Sequence, residues 1–270
     1  MAVASSVPRR SGRALRVPDR ALPWLGVLAV LALFELLART EIINSHYFPP
    51  VTTMFRALWD QLGTAELWRA IGDTLQGWAL GLGIAAVAAI PIGMLLGSSR
   101  VSYRALRAVI EFLRPIPSVA LIPLAVLVYG TGLQSKVFLA VYAAFWPILV
   151  QAIYGVQDVD PVATDTARAF GLGRVQRLVR VTLPSSAAYI ATGLRISSAV
   201  ALILAVTAEL VIGSPGLGRE INIARQGGAT DLMYAMIIVT GLLGWALNAV
   251  FVAIERRVLH WHPSQRGASA

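Results

Sequence analysis

Ala187–Ile212 is a run of 26 residues in which Arg195 and Glu209 are the only charges. As a helix it would be about 39 Å long, enough to cross a bilayer with some tilt. A lipid solvent leaves few options, because backbone N–H and C=O groups there must be satisfied within a helix or a closed barrel. The run shows no alternation of apolar and polar residues, so a helix is expected. The chain as a whole is 57% hydrophobic and 14% charged over 270 residues, whereas a soluble domain carries about a quarter charged residues. The expected fold is all-α and polytopic.

Five more apolar runs bring the expected spans to six: Ala21–Leu37, Leu75–Leu96, Val109–Tyr129, Val137–Tyr154 and Leu232–Ile254. The first is longer than a signal-peptide core and lacks a small-x-small cleavage site, so it reads as an uncleaved span with Glu35 near its outer end. Residues 1–20, rich in Arg, Ser and Pro, read as a disordered basic segment. Residues 39–70 read as an external segment with a short amphipathic helix around Thr53–Leu62. In the second span, Gly77/Gly81 and Gly93/Gly97 have the spacing that lets helices approach closely in lipid, although glycine is also ordinary filler there. Pro115, Pro117 and Pro123 break the third span, which requires neighbours or water to satisfy the freed carbonyls. Gly213–Gly218 reads as an external turn and 219–231 as a polar loop. The membrane unit is set at 21–258 and a tail at 259–270.

Net charge is +9 and the pI near 10.8. The arginines sit beside apolar runs, which fits membrane topology better than nucleic-acid binding. With the N-terminus inside, Arg9, Arg10, Arg13, Arg16, Arg20, Arg100, Arg104, Arg107, Arg168, Arg174, Arg177, Arg180, Arg256, Arg257 and Arg266 fall on inner segments. Arg39, Arg56, Arg69, Lys136, Arg219 and Arg225 fall on outer ones. That bias places both termini in the cytoplasm of a cell whose inner or plasma membrane the chain spans. There is no cysteine, which excludes disulfide and thiolate chemistry. His46, His260 and His262 do not make a convincing metal cluster.

Asp160–Pro184 is the longest polar interruption, and its order is informative. Asp160 caps a helix that Pro161 begins, and Gly171 is placed to stop it in a left-handed turn. Arg174, Arg177 and Arg180 recur along one side of a second short helix, with Leu172, Val175, Leu178 and Val179 largely on the other; Pro184 closes it. A solvated basic loop would explain the arginines alone. Asp165-Thr166-Ala167, then Gly171, then nine residues to Val181-Thr182-Leu183-Pro184, resembles the EAA loop of ABC-importer permeases. The departures are Asp165, Thr166 and Val181. The resemblance implies that these helices dock on an ATPase subunit, with Asp165, Thr166, Ala167, Arg168, Gly171, Leu183 and Pro184 as the coupling residues.

Two further stretches are similar to the nitrate/sulfonate/taurine/bicarbonate branch of that family: Leu113–Leu124 with Tyr129-Gly130 and Lys136, and Gly193–Ser197 with Ala208-Glu209 and Gly216-Leu217-Gly218. The resemblance covers about residues 20–263. It implies a type I, methionine-importer-like core with one helix added in front, two permease copies (a homodimer in the simplest case), two ATPase subunits and an external substrate-binding protein. ATP and magnesium would sit on the ATPase, because this chain has no phosphate-binding loop ending in Lys-Ser or Lys-Thr; no cofactor is expected on this chain, nor a catalytic residue.

Charges within spans are candidates for function. Glu111 and Arg114 have the spacing to pair on one helix face. Arg195 and Glu209 lie about 21 Å apart along a helix, too far to pair with each other. Arg114 or Arg195 could face the pathway and attract the small anions that relatives carry. Either could instead pair with a carboxylate or cap carbonyls freed by proline, and the structural role weighs more, since a permease needs weak sites. A secondary transporter without an ATPase is the alternative. It would want inverted repeats around a midplane ion site, and no internal repeat is present. An intramembrane hydrolase would want a His–Ser, paired-Asp or zinc constellation within the spans, and they hold no histidine.

Overall fold

The computed structural model describes residues 22–40 and 42–259. Two units are distinct, residues 1–54 and 55–270. The expected disordered segment, most of the tail, His260 and His262 lie outside the described residues.

In the first unit, α1 (Leu22–Arg39) is apolar and of spanning length. Near its end, Glu35 accepts hydrogen bonds from the Thr52 backbone N–H (3.0 Å) and hydroxyl (2.9 Å) and pairs with Arg39 at 2.6 Å. These contacts tie Thr52, in the first turn of α2 (Val51–Leu62), to the end of α1.

The second unit is built on α3 (Ala65–Gly97), α6 (Leu133–Gln157) and α9 (Leu183–Ile212), which share a core of small residues and branched aliphatics. The glycine pairs read from the sequence lie on the α3–α6 seam. A Cβ at Gly93 would come 2.6 Å from Ala152 Cβ, and one at Gly97 2.7 Å from Val156 Cβ. Gly77 and Gly81 face Lys136 and Ala140 in the same register, so the two backbones are close along the whole seam. In lipid, packing and interhelical hydrogen bonds replace the hydrophobic drive. Here Ser197 Oγ donates to the Ala144 carbonyl (2.7 Å) and Trp78 Nε1 to that of Ser198 (3.0 Å).

Helices are longer than the apolar runs suggested. Capped by Thr64, α3 begins ten residues before the expected start of the span, drawing Trp68 and Arg69 out of the expected external segment and into the helix. α3 runs on through Pro91, and α6 through Pro147.

The third span is not one helix. α4 (Arg100–Leu113), capped by Ser99, takes Arg100, Arg104 and Arg107 out of the expected loop. A 3-10 turn (Ser118–Leu121) and α5 (Ile122–Tyr129) follow, and the two halves meet at 81°. Pro115 and Pro117 cause the break, since neither has an N–H to continue the ladder. Pro123 lies in the first turn of α5, where that absence costs nothing. α7 (Pro161–Ala169) and α8 (Arg174–Arg177) form the polar interruption.

The stretch read as an outer loop also folds. α10 (Leu217–Gln226) lays Leu217 and Ile221 against Leu58, Leu67, Ala70 and the start of α11 (Thr230–Val258). By length and composition, five helices among the described residues can cross a membrane, or six if the bent pair is one span.

Candidate functional site: the polar helix pair and the charges within the bundle

The helix pair forms as its local sequence dictates. Asp160 Oδ1 accepts from the Val162 N–H (2.8 Å), with Pro161 in the first turn. At the other end of α7, Gly171 adopts φ +76°. The Leu172 N–H bonds the Ala167 carbonyl and the Gly171 N–H that of Arg168, both at 3.0 Å. Those two bonds define a Schellman cap, which needs a residue tolerant of positive φ at the turn. Gln176 reaches back to accept from the Gly173 N–H at the start of α8 (3.2 Å).

One expectation fails here. Pro184 does not close the second helix: the chain stays helical from Arg174 to Ile212. A π turn over Leu178–Thr182 separates α8 from α9, and the Leu183 N–H bonds the Leu178 carbonyl five residues back. Proline lacks an N–H and crowds the carbonyl four residues behind it, and the widened turn absorbs both.

The apolar side of this pair is not buried. Val162, Phe170, Val175 and Val179 are exposed, Phe170 at 81%, while Leu172 and Leu178 are half-buried. Asp165, Thr166, Arg168 and Pro184 are exposed, Leu183 is 38% exposed, and Ala167 is buried. Asp165 pairs with Arg168 at 2.8 Å along the helix surface. The result is a rigidly capped elbow presenting bulky apolar residues among charges.

The charges within the bundle have other partners than their spacing suggested. Glu111 pairs with Arg107 (2.7 Å), not Arg114. Arg114 caps the end of α4, just past its last helical residue and directly before Pro115 turns the chain, whereas Arg107 lies one full turn back from Glu111 on the same helix face. Arg114 makes no ion pair among the described residues. It lines a cavity of about 370 Å³ between α4 and α6, with Arg107, Glu111, Tyr103 and Tyr154. Arg195 pairs with Glu255 of α11 at 3.3 Å.

Glu209 is fully buried and bonded to Lys136, also buried, at 2.9 Å. Lys136 is therefore not an outer-loop charge; it lies in the first turn of α6. The pairing escaped sequence reading because 73 residues separate the partners. The signal available was that Lys136 is the only lysine among 23 basic residues. No group of three or more metal-ligating side chains occurs among the described residues.

Residues 89–260 match the model of the binding-protein-dependent transport system inner membrane component. The chain belongs to that family. It is 33% identical over 244 residues to the taurine transport system permease protein of Escherichia coli (strain K12), covering 88% of this chain and 89% of the relative. It is 32% identical over 189 residues to the nitrate import permease protein of Leptolyngbya laminosa, covering 70% and 68%. The fold is similar to that of an inward-facing MetNI methionine ABC transporter structure, with a TM-score of 0.63 at 21% identity over 71% of this chain and 95% of that one. The chain is thus a multi-pass permease component of an ABC importer with a type I core.

Proposed function

We propose that this permease imports a small anion of the sulfonate, taurine or nitrate class, driven by an ATPase that docks on α7, α8 and the Gly171 elbow. The exposed apolar set Val162, Phe170 and Val175 on a capped, internally hydrogen-bonded turn carries this reading. Bulky apolar residues left outside a fold mark an interaction site when they are contiguous, and a fixed turn transmits motion where a loose loop would absorb it. The relatives named for taurine and nitrate import support the substrate class.

In this proposal the elbow faces the cytoplasm, together with both termini, and the 213–228 region faces outward toward a binding protein. Two copies of the chain form the pathway between them, by the two-fold logic of such cores. Arg195, tied to Glu255, holds α9 to α11. Arg114, which has no carboxylate of its own and lines the α4–α6 cavity, is the arginine that meets the anion.

The test is ATP hydrolysis and uptake by the reconstituted complex with Gly171→Val and Asp165→Lys. Both variants should insert at normal levels while stimulated hydrolysis and uptake fall together. Wild-type coupling in both would reduce the elbow to a solvated loop.

A further inference from the structure

Lys136, Glu209 and Thr74 form a buried knot that docking at the elbow does not involve. The Lys136 ammonium donates to Glu209 Oε1 (2.9 Å), to the Asp73 carbonyl (2.8 Å) and to the Pro215 carbonyl (2.9 Å), which uses all three of its protons. Glu209 Oε2 accepts from the Thr74 hydroxyl (2.9 Å) and the Gly218 N–H (3.0 Å). Thr74 Oγ1 accepts in turn from the Leu217 N–H (2.9 Å). The glycines around the knot leave it no slack. A Cβ at Gly216, which has φ +145°, would fall on the Glu209 carboxyl carbon, and one at Gly77 would lie 2.6 Å from Lys136 Cε.

Three of these bonds hold the backbone of one short stretch, Pro215, Leu217 and Gly218, where the turn after α9 enters α10. The other partners stand on α3 (Asp73 and Thr74), α6 (Lys136) and α9 (Glu209). A buried ion pair is weak evidence for stability, since an apolar replacement often does as well, and fixing one geometry is the better-attested use. The choice of lysine agrees: three acceptors surround a compact ammonium, and a planar guanidinium has no matching arrangement. The one lysine of an arginine-using chain lies at this point.

We infer that the knot is a clamp joining α10 to the far end of α9, so that displacement of α10 reaches the elbow through one continuous helical rod. That rod, Arg174–Ile212, spans 39 residues, roughly 58 Å. Glu209 lies near its outer end and the elbow at its start. Lys136, Glu209 and Thr74 are then positioning residues for transport. This inference rests on the proposed import reading for its second half only, because the clamp itself is a property of this chain.

The experiment has two arms, both on the intact complex with its ATPase and binding protein. Hydrogen exchange is followed by mass spectrometry in Thr74→Val, Glu209→Gln and Lys136→Arg. Exchange across 216–226 should rise about tenfold or more, the factor carried by one hydrogen bond to a charged group, while 139–153 in α6 keeps its protection. ATP hydrolysis is then measured without and with binding protein supplied with taurine, or nitrate in parallel. Basal hydrolysis should persist, and stimulation should fall about tenfold with the loosening of α10.

Thr74→Val removes one hydroxyl and keeps the ion pair, so it reports even if the charge variants fold poorly. Unchanged exchange at 216–226 in Thr74→Val and Glu209→Gln overturns the clamp, as does equal loosening of α6. Loosened α10 with full stimulation overturns the transmission. Absence of any stimulation in the unsubstituted complex counts instead against the import reading, and the exchange arm stands apart from it.

Discussion

Gly171 holds φ +76° at the point where two hydrogen bonds close the elbow, and no side chain would meet a neighbour there. The constraint is purely on the backbone. A valine at this position would pay of order 1–3 kcal/mol for the left-handed conformation, enough to open a turn whose surroundings are solvent. Lys136 poses the opposite problem, because everything around it is occupied. Lys136→Met leaves the Glu209 carboxylate buried without its cation, a loss of about 3–5 kcal/mol for a buried pair broken on one side. Thermal unfolding in detergent should show that loss, and Lys136→Met with Glu209→Gln should recover part of it. Recovery of nothing would mean that the pair contributes through something other than charge compensation. These two residues also mark what sequence can reveal. Asp160, Pro161 and Gly171 each act on backbone only a few positions away along the chain, so their roles are readable locally. Lys136 reaches Asp73, Glu209 and Pro215 across 63, 73 and 79 residues, and no local pattern encodes that.

At the scale of elements, the seam between α3 and α6 depends on glycines that a span-length apolar pattern cannot distinguish from filler. Gly93→Leu should drive a side chain into Ala152 and the Leu149 carbonyl, with an overpacking cost of about 1–3 kcal/mol or more. Gly83→Leu, on a face of the same helix with nothing within 4 Å, should be tolerated. Equal unfolding midpoints for the two variants would refute the close seam. Proline was legible as a breaker, but the consequence was not. Pro115 and Pro117 turn one expected span into two helices at 81° and free the basic stretch before them to be helical. α10 was hidden behind Gly213-Ser214-Pro215-Gly216, which reads as loop. Leu217, Ile221 and Ala224, an i, i+4, i+7 stripe that is buried in the structure, was the sign of a helix.

For the whole molecule, the arginine bias and the elbow make one joint claim about sidedness. With Lys136 buried in the core and Arg69 within α3, the charges expected on the outer side are Arg39, Arg56, Arg219 and Arg225, while Arg100, Arg104 and Arg107 of the expected inner set lie on α4. Single cysteines can be placed freely in a chain that has none. In intact cells, Ser102→Cys and Gln176→Cys should be shielded from an impermeant thiol reagent, and Ile223→Cys, exposed on α10, should react from outside. Labelling of Gln176→Cys from outside would invert the molecule. Sidedness alone still leaves the elbow's partner open, and cross-linking addresses it directly. With Phe170→Cys in the complex, a short bifunctional thiol reagent should join this chain to a cysteine-bearing ATPase subunit in high yield, and Ile223→Cys should give none. A Phe170→Cys chain that stays free of the ATPase in an actively transporting complex would contradict the account.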